Sequence, residues 1–239
     1  MVLLGAGPWA TGSASRAGST SGALIRAAGN QSTNWSGYAE AGSFTSIAGS
    51  WNVPAVVPTP GRTTYASTWV GVDGLANRHL IQTGTESDQV GGVVRYDAWW
   101  EVLPAAERVV RRMVVHPGDH MTATIVRTGP TRWTITLADT TTGLSFAVSH
   151  RYTGSGLSAE WIEERPQVGG ALTTLSPVGT TLFSGLATNG TGPHLVAADA
   201  LAMVASVGGP VIAAPSALSA SGTSFAVAYG PVPPARPVG

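Results

Sequence analysis

Apolar and polar residues alternate along most of the chain after residue 33. In residues 132–138 every second side chain is apolar, which places Trp133, Ile135 and Leu137 on one face of a strand. Residues 139–143 are typical of a turn, and the alternation resumes in residues 144–148. The two segments therefore predict a β-hairpin with a longer loop.

The same pattern recurs about every ten residues, with clusters of Gly, Pro, Asn and Thr between the strands. Phe225, Val227 and Tyr229 repeat it near the C-terminus. The segment 197–205 is rich in Ala and Leu, but its Val-rich, Gly-bounded surroundings favour a strand. This spacing predicts an all-β fold, a sandwich of two antiparallel sheets of the jelly-roll type.

The ends of the chain differ from the middle in composition. Residues 1–33 begin with the short apolar run Met1–Leu4 and continue in Ser, Gly, Ala and Thr, which predicts a flexible leader or pro-segment. Residues 34–230 form the predicted sandwich domain, and residues 231–239 contain four prolines and form a predicted tail. The apolar run at Met1 is consistent with the remnant of a signal peptide, so we predict a secreted protein.

Composition excludes several kinds of chemistry. The 239 residues include no Cys, which removes disulfides, cysteine nucleophiles and thiolate metal sites. All 13 basic residues are Arg, and without Lys there is no phosphate-loop lysine and no Schiff-base chemistry. The 13 acidic residues bring the net charge to zero, which argues against nucleic-acid and membrane-surface binding. The Arg-only, Ala- and Gly-rich composition is typical of a bacterial genome of high G+C content.

Three predicted strands carry acid or amide groups. In residues 96–101, alternation places Asp97, Trp99 and Glu101 on one face. In residues 159–164, the same rule aligns Glu160, Ile162 and Glu164, and three of the seven Glu residues of the chain fall in this segment. A third short apolar strand, residues 79–84, carries Gln82. Carboxylates beside an indole are costly when buried and useful in a groove, while solvent exposure on the outer face of the sandwich is the alternative explanation.

Other constellations carry less weight. His116 and His120 are four residues apart, but Pro117 and Gly118 lie between them and predict a turn instead of a helical metal site. The chain contains no G-x-S-x-G segment and no Asp-Thr-Gly or Asp-Ser-Gly segment. We therefore expect no metal and no cofactor.

Five short segments resemble the glutamic peptidases, the eqolisin family, in both order and spacing, over roughly residues 34–229. They are Asn34-Trp35-Ser36-Gly37-Tyr38, Trp69-Val70-Gly71-Val72-Asp73-Gly74, Ile81-Gln82-Thr83-Gly84, Tyr96-Asp97-Ala98-Trp99-Trp100-Glu101 and Ala159-Glu160-Trp161-Ile162-Glu163-Glu164. The resemblance implies a two-sheet sandwich of the concanavalin type with a substrate groove on one face. It also implies a pepstatin-insensitive acid endopeptidase, and the composition predicts a bacterial member.

The resemblance also assigns residues. The catalytic Gln of the family falls on Gln82, and its catalytic Glu falls on Glu164 instead of Glu160 or Glu163. Trp69 and Asp73, together with Asp97, Trp99 and Glu101, fall on positions that line the groove or support the dyad. Glu163 departs from the family, whose members often carry an aliphatic residue there.

The expected reaction is hydrolysis without a covalent intermediate. Glu164 would act as the general base for a water molecule, and Gln82 would stabilise the oxyanion. The expected partners are polypeptide substrates only, and the expected state is a monomer. Two alternatives stay open: a jelly-roll glycosidase using Glu101 and Glu164, and a non-catalytic, lectin-like binding sandwich.

Overall fold

The computed structural model describes residues 19–20, 23–27 and 29–238, and in this part the chain is almost entirely β-structure. The strands, in chain order, are β1 (Ser19–Thr20), β2 (Gln31–Ser32), β3 (Trp35–Ala41), β4 (Ser46–Asn52), β5 (Ser67–Val72), β6 (Ile81–Val90), β7 (Val93–Val102), β8 (Arg108–Val114), β9 (His120–Arg127), β10 (Arg132–Asp139), β11 (Leu144–Arg151), β12 (Ser158–Glu164), β13 (Gln167–Val168), β14 (Ala171–Leu172), β15 (Thr180–Thr188), β16 (Ala200–Val204), β17 (Val211–Pro215) and β18 (Phe225–Tyr229). A single turn of 3₁₀ helix, Ala197–Asp199, is the one helical element of the described residues.

The strands form two packed layers, which we name the front sheet and the back sheet. The front sheet has the order β3-β12-β5-β6-β7-β8, and the back sheet has the order β11-β10-β9-β4-β15-β18-β17. Strand β16 is hydrogen-bonded to β3 of the front sheet and to β17 of the back sheet, so it joins the two layers at one side. Neighbouring strands within each layer are antiparallel. The predicted sandwich of two antiparallel sheets is confirmed.

Apolar residues from both layers fill the space between the sheets. Two buried indoles also bridge the layers by hydrogen bonds. Trp161 of the front sheet donates to the carbonyl oxygen of Ala48 in the back sheet at 2.8 Å, and Trp51 of the back sheet donates to the hydroxyl of Thr85 in the front sheet at 2.9 Å. These bonds satisfy both buried indole N–H groups and fix how one layer lies on the other.

The local predictions hold where the structure describes them. Strands β10 and β11 form the predicted hairpin, with Arg132 opposite Arg151 and Asp139 opposite Leu144. The segment 197–205 is the strand β16 preceded by the 3₁₀ turn. The Pro and Gly between His116 and His120 form a turn in which the His116 amide donates to Asp119 at 2.7 Å.

The N-terminal region is described only in part. Residues 1–18 of the predicted leader lie outside the described residues. Farther along, β1 pairs with β13, and β2 pairs with β16 in parallel. The boundary at residue 33 and the Pro-rich tail at residues 231–239 stay predictions. Within the described ranges, no helix is long and apolar enough to span a membrane.

Candidate active site

The outer face of the front sheet carries a second apolar cluster, separate from the core between the sheets. Its buried members are Trp35, Ala39, Trp69, Leu80, Trp99, Ile162 and Leu201, which we name the indole cluster. The rings of Trp35 and Trp69 meet edge to face with centroids 5.0 Å apart. Three large aromatic rings on one outer face form an apolar floor for a groove.

Glycines opposite the indoles make this floor possible. In the strand register, Gly84 lies between Trp69 on β5 and Trp99 on β7. A Cβ atom at Gly84 would meet the carbonyl oxygen of Thr68 and lie 2.6 Å from the Cβ of Trp69. A Cβ atom at Gly71 would likewise lie 2.8 Å from Cζ3 of the Trp69 ring. A side chain at either glycine would therefore collide with Trp69 or with the strand that carries it.

Gln82 and Glu101 are direct cross-strand neighbours on β6 and β7. The side-chain amide of Gln82 donates to Oε2 of Glu101 at 2.8 Å, and neither residue has exposed surface. Burial is the main cause that raises the pKa of Glu101 to about 9; the charges of Glu107 and Glu164 also raise it, and the bond from Gln82 offsets part of the increase. Glu101 is therefore protonated throughout the acid and neutral range.

Glu164 is held from two sides at the end of β12. The indole N–H of Trp69 donates to its Oε2 at 2.9 Å, and the side-chain amide of Asn34 donates to its Oε1 at 3.4 Å. The hydroxyl of Ser32 donates to the other end of the Asn34 amide at 2.8 Å and so fixes its orientation. Glu164 has no exposed surface. A buried carboxylate with fixed donors on both oxygens is a positioned base.

The structure brings these pairs together on one face. Glu164 is close enough to Glu101 for its charge to raise the pKa of Glu101. The indole N–H of Trp69 donates to Glu164. Trp69 is also two residues along β5 from Gly71, which is the cross-strand neighbour of Gln82. The predicted residues Trp69, Gln82, Trp99, Glu101 and Glu164 therefore share one site.

The two aspartates lie at its margins. Asp97 is half-buried and is the cross-strand neighbour of Glu86. Glu86 pairs in turn with Ser67, and Ser67 pairs with Glu164, so Asp97 is three strands away from Glu164. Asp73 has a left-handed backbone with φ of 72°.

Asp73 has a different set of partners. Its carboxylate accepts from the hydroxyl of Tyr152 at 2.6 Å and from the amides of Gly156 and Leu157 at 2.9 Å each. Asp73 thus fastens the loop before β12 to the end of β5. It supports the strand that carries Glu164.

The acidic segment of β12 divides between the two faces. Glu160 shares the outer face with Glu164, as predicted, but it is fully buried. Burial raises the pKa of Glu160 well above its ordinary value, and the Asp73 charge adds to this. Glu163 faces the interior, where its Oε2 accepts from Thr68 at 2.8 Å and from Thr181 at 3.1 Å. Solvent exposure therefore does not explain these carboxyl groups.

Sequence reasoning missed the roles of Asn34 and Glu107. Asn34 opens the first motif of the resemblance, which assigned it no function, and Glu107 lies in the turn after β7, outside every motif. Only the folded chain shows that both act on the site, Asn34 by a bond to Glu164 and Glu107 by its charge near Glu101. In the described part of the chain, no group of three His, Cys, Asp or Glu side chains is placed to hold a metal ion.

Comparison with known proteins decides the family. The profile of the peptidase A4 family matches residues 33–229, which include all of the residues above except Ser32. This chain belongs to the peptidase A4 family. It is a peptidase of the glutamic type, as the sequence resemblance indicated.

Two curated relatives and two solved structures illustrate the likeness of this peptidase A4 member. Aspergillopepsin-2 of Aspergillus niger is 28% identical over 224 residues, which cover 83% of this chain and 78% of the relative. Scytalidopepsin B of Scytalidium lignicola is 30% identical over 138 residues, 55% of this chain and 51% of the relative. The aspergilloglutamic peptidase structure from Aspergillus niger superposes with a TM-score of 0.57 at 28% identity, covering 70% of this chain and 99% of that one. Scytalido-glutamic peptidase, solved with a transition-state analogue inhibitor, has the same fold, with a TM-score of 0.69 at 23% identity, covering 82% of this chain and 98% of that one.

Proposed function

We propose that this peptidase is an acid endopeptidase in which Glu164 and Gln82 form the catalytic dyad. The observation that carries the proposal is the fixed Glu164 carboxylate, with donors from Trp69 and Asn34, on the same face as the Gln82–Glu101 pair. Membership in a peptidase family favours peptide-bond hydrolysis over the glycosidase and lectin-like alternatives.

The reaction has two steps without a covalent intermediate. The Glu164 carboxylate takes a proton from a water molecule, and the water oxygen attacks the scissile carbonyl carbon. The side-chain N–H of Gln82 donates to the oxyanion that forms. Protonated Glu164 then gives its proton to the leaving nitrogen as the C–N bond breaks.

The charge arrangement suits acid conditions. Carboxyl groups have ordinary pKa values of about 4.3, so a carboxylate base is partly ionised near pH 4, where histidine is already protonated. The pKa of Glu101, raised to about 9, keeps it neutral under these conditions. When the oxyanion forms, Glu164 has already taken the proton of the water and Glu101 is neutral, so Gln82 stabilises the oxyanion without opposition from either carboxyl group.

The test is cleavage of unfolded casein between about pH 2 and pH 7, with pepstatin present. We expect acid-dependent cleavage by the wild type and none by Glu164→Gln, because an amide cannot accept a proton from water. Glu40→Gln is the matched control: Glu40 is buried but accepts from the His194 amide at 3.0 Å and from Thr188, away from the indole cluster. Cleavage that survives in a folded Glu164→Gln variant would show that Glu164 is not the base.

Secretion, a monomeric state and a bacterial source stay predictions. An acid pH optimum is consistent with action outside the cell, because the cytoplasm is near neutral. Size-exclusion chromatography at about pH 4 checks the monomer.

A further inference from the structure

The charged side chains of this chain are separated by sign between the interior and the surface. All 13 Asp and Glu residues lie within the described ranges, and none of them is exposed: ten are buried and three are half-buried. Eleven of the 13 arginines are exposed, while Arg165 is buried and Arg16 lies outside the described residues. The net charge of zero thus describes the whole chain and not its surface.

This separation changes what the composition implies. The argument from net charge against nucleic-acid and membrane-surface binding counts every charged residue equally. Burial raises the pKa values of Glu101 and Glu160, so these carboxyl groups carry no charge in acid. A partner in solution meets the exposed charges, and those are arginines.

Five exposed arginines are concentrated at the side of the sandwich where the two layers end in β8 and β11. Strand β8 carries Arg108, Arg111 and Arg112. Arg132 begins β10 and Arg151 ends β11, and the two are direct cross-strand neighbours. We name these five residues the arginine side.

Ring contacts connect the two strands of the arginine side. The guanidinium of Arg108 lies 5.6 Å from the ring centroid of Trp100, and the ring of His150 on β11 lies 5.6 Å from the same indole. The guanidinium of Arg112 lies 6.0 Å from the ring centroid of Phe146, also on β11. These contacts place the arginines of β8 along β11, so the arginine side is one continuous surface across both layers.

The fold itself gains nothing from the pairing of Arg132 with Arg151. Like charges on directly opposite residues of two antiparallel strands destabilise the sheet. The next pair on the same face, Thr134 and Ser149, makes a hydrogen bond of 2.9 Å between the two hydroxyl groups. An anion outside the protein would relieve the repulsion between the two guanidinium groups.

The carboxyl groups of this part of the chain do not neutralise the arginine side. Asp119 and Asp139 are buried and accept hydrogen bonds within their own turns. Asp97 and Glu107 are half-buried, and the charge of Glu107 acts on the candidate active site, where it raises the pKa of Glu101. The field of the five arginines therefore extends into solvent.

Exposed aliphatic side chains lie on the same two edge strands. Val114, at the end of β8, is 60% exposed, and Leu144, at the start of β11, is 42% exposed. They are two residues beyond Arg112 and Phe146, which are in contact. Arginines together with exposed aliphatic residues are typical of a surface that binds at a lipid–water boundary.

We propose that the arginine side, together with Val114 and Leu144, is a docking surface for a membrane of anionic phospholipids. The guanidinium groups bind head-group phosphates by paired hydrogen bonds, and the two aliphatic side chains enter the boundary beneath them. A nucleic acid would meet the arginines equally well but would leave both aliphatic side chains in water. The candidate active site lies on the outer face of the front sheet, so docking leaves it uncovered.

The first experiment measures binding of the full-length chain to vesicles by co-sedimentation at neutral pH. One vesicle contains phosphatidylcholine alone, and the other contains equal parts of phosphatidylcholine and phosphatidylglycerol. We expect binding to the second vesicle only. The formal net charge is zero at this pH, so binding reports the placement of the charges and not their sum. Equal binding to both vesicles, or to neither, would overturn the proposal.

The test variant combines Arg108→Gln, Arg112→Gln and Arg151→Gln. Each arginine near an anionic surface strengthens binding roughly fivefold, so we expect the affinity for the anionic vesicle to fall about 100-fold. If circular dichroism shows that this variant is unfolded, Arg151→Gln replaces it, with an expected loss of about fivefold. Arg151→Gln removes one of two like charges, so urea denaturation should show no loss of stability.

The matched control makes the same change in net charge elsewhere on the surface. It combines Arg62→Gln, Arg95→Gln and Arg236→Gln, three exposed arginines outside the arginine side. We expect its affinity to stay within about threefold of the wild type, because charges farther than a Debye length from the membrane are screened. Equal losses in the two triple variants would overturn the assignment to the arginine side.

A second pair of variants tests the lipid. Val114→Asn combined with Leu144→Asn should weaken vesicle binding roughly tenfold, because two aliphatic side chains no longer enter the boundary. Leu182→Asn, at a leucine of β15 that is 43% exposed, is the control and should bind as the wild type does. Unchanged vesicle binding by the double variant would overturn the lipid assignment. Binding to single-stranded DNA that is tighter than binding to anionic vesicles would overturn it as well.

Discussion

One hydrogen bond joins the side-chain amide of Gln82 to the buried carboxyl group of Glu101. Oε1 of Gln82 and Oε1 of Glu101 are both buried without a partner. A protonated Glu101 carboxyl has an O–H to donate. When the amide nitrogen and oxygen of Gln82 exchange positions, the Gln82 oxygen accepts from this O–H. In that arrangement both hydrogens of the Gln82 amide are free for the oxyanion of the proposed mechanism. On this proposal, the protonated state of Glu101 positions Gln82.

This argument predicts different effects for two substitutions of Glu101. Glu101→Gln keeps a neutral group with an N–H donor, so we expect kcat near pH 4 to stay within about fivefold of the wild type. Glu101→Ala leaves the Gln82 amide unsupported, and we expect kcat to fall on the order of 10², comparable to the loss of an oxyanion donor. Steady-state kinetics with one peptide substrate checks both values.

The comparison of the two variants decides the role. If Glu101→Gln were as inactive as Glu101→Ala, an ionised Glu101 would be required and the positioning role would be wrong. Equal activity of Glu101→Ala and wild type would show that Gln82 needs no support.

Residue types and spacing predicted a large part of the site. Alternation placed Trp99 and Glu101 on one face and Glu160 and Glu164 on another, and the structure has both pairs on the outer face of the front sheet. Asn34 escaped this reasoning because its contact with Glu164 spans 130 positions of sequence. No local pattern encodes a bond of that range.

Among the elements, the strands of the front sheet alternate indoles with glycines. Gly84 on β6 lies between Trp69 and Trp99, and a side chain at Gly84 would collide with the backbone of β5 and the Cβ of Trp69. The position of Trp69 against β6 therefore requires a glycine at residue 84. Packing of this kind is tight, and it leaves no room for one further carbon atom.

Gly84→Ala tests this packing. The added Cβ would meet the Thr68 carbonyl oxygen and the Trp69 backbone, which belong to a central strand and cannot yield. We expect the free energy of unfolding to fall by about 3 kcal/mol, measured by urea denaturation. Gly129→Ala is the matched control: its nearest neighbour, the Cβ of Arg132, would be at an ordinary 3.5 Å, and we expect a change within about 0.5 kcal/mol. Equal destabilisation by both substitutions would contradict the role of Gly84.

Elements were easier to predict than their partners. Alternation identified β10, β11 and β18, because a half-buried strand needs every second residue apolar. Composition alone assigned residues 23–27 to a flexible leader. Their strand-like pairing with residues 31 and 33 depends on a surface that exists only after the sandwich has folded.

For the whole molecule, buried carboxyl groups make stability depend on pH. Burial raises the pKa of Glu163 to about 7, in part offset by the bonds from Thr68 and Thr181, and burial raises those of Glu101 and Glu160 as well. In the unfolded chain these groups ionise near their ordinary value of 4.5. The folded state therefore holds more protons above that pH, and the free energy of unfolding falls as the pH rises. These three groups therefore stabilise the folded molecule more in acid than at neutral pH.

Glu163→Gln isolates one part of this dependence. For the wild type, the Glu163 contribution is complete below about pH 4.5 and is lost as the pH rises to about 7. That loss is roughly 3 kcal/mol, and it is absent when the side chain cannot ionise. We therefore expect the free energy of unfolding of Glu163→Gln to fall less than that of the wild type between about pH 4.5 and pH 7.5, by roughly that amount. Denaturant titrations that give parallel pH profiles for both proteins would contradict the ionisation of Glu163.

Strand β16, which is bonded to β3 on one side and to β17 on the other, also has a mechanical consequence. The two layers are continuous along this side, so sliding one across the other requires breaking its hydrogen bonds. Their outermost strands, β8 and β11, meet at the opposite side, where contact between them is the lateral support. A peptide bound on the outer face of the front sheet therefore rests on two layers that are joined by backbone hydrogen bonds. Any change in the separation of the layers is therefore expected at the side of β8 and β11 instead of at the side of β16.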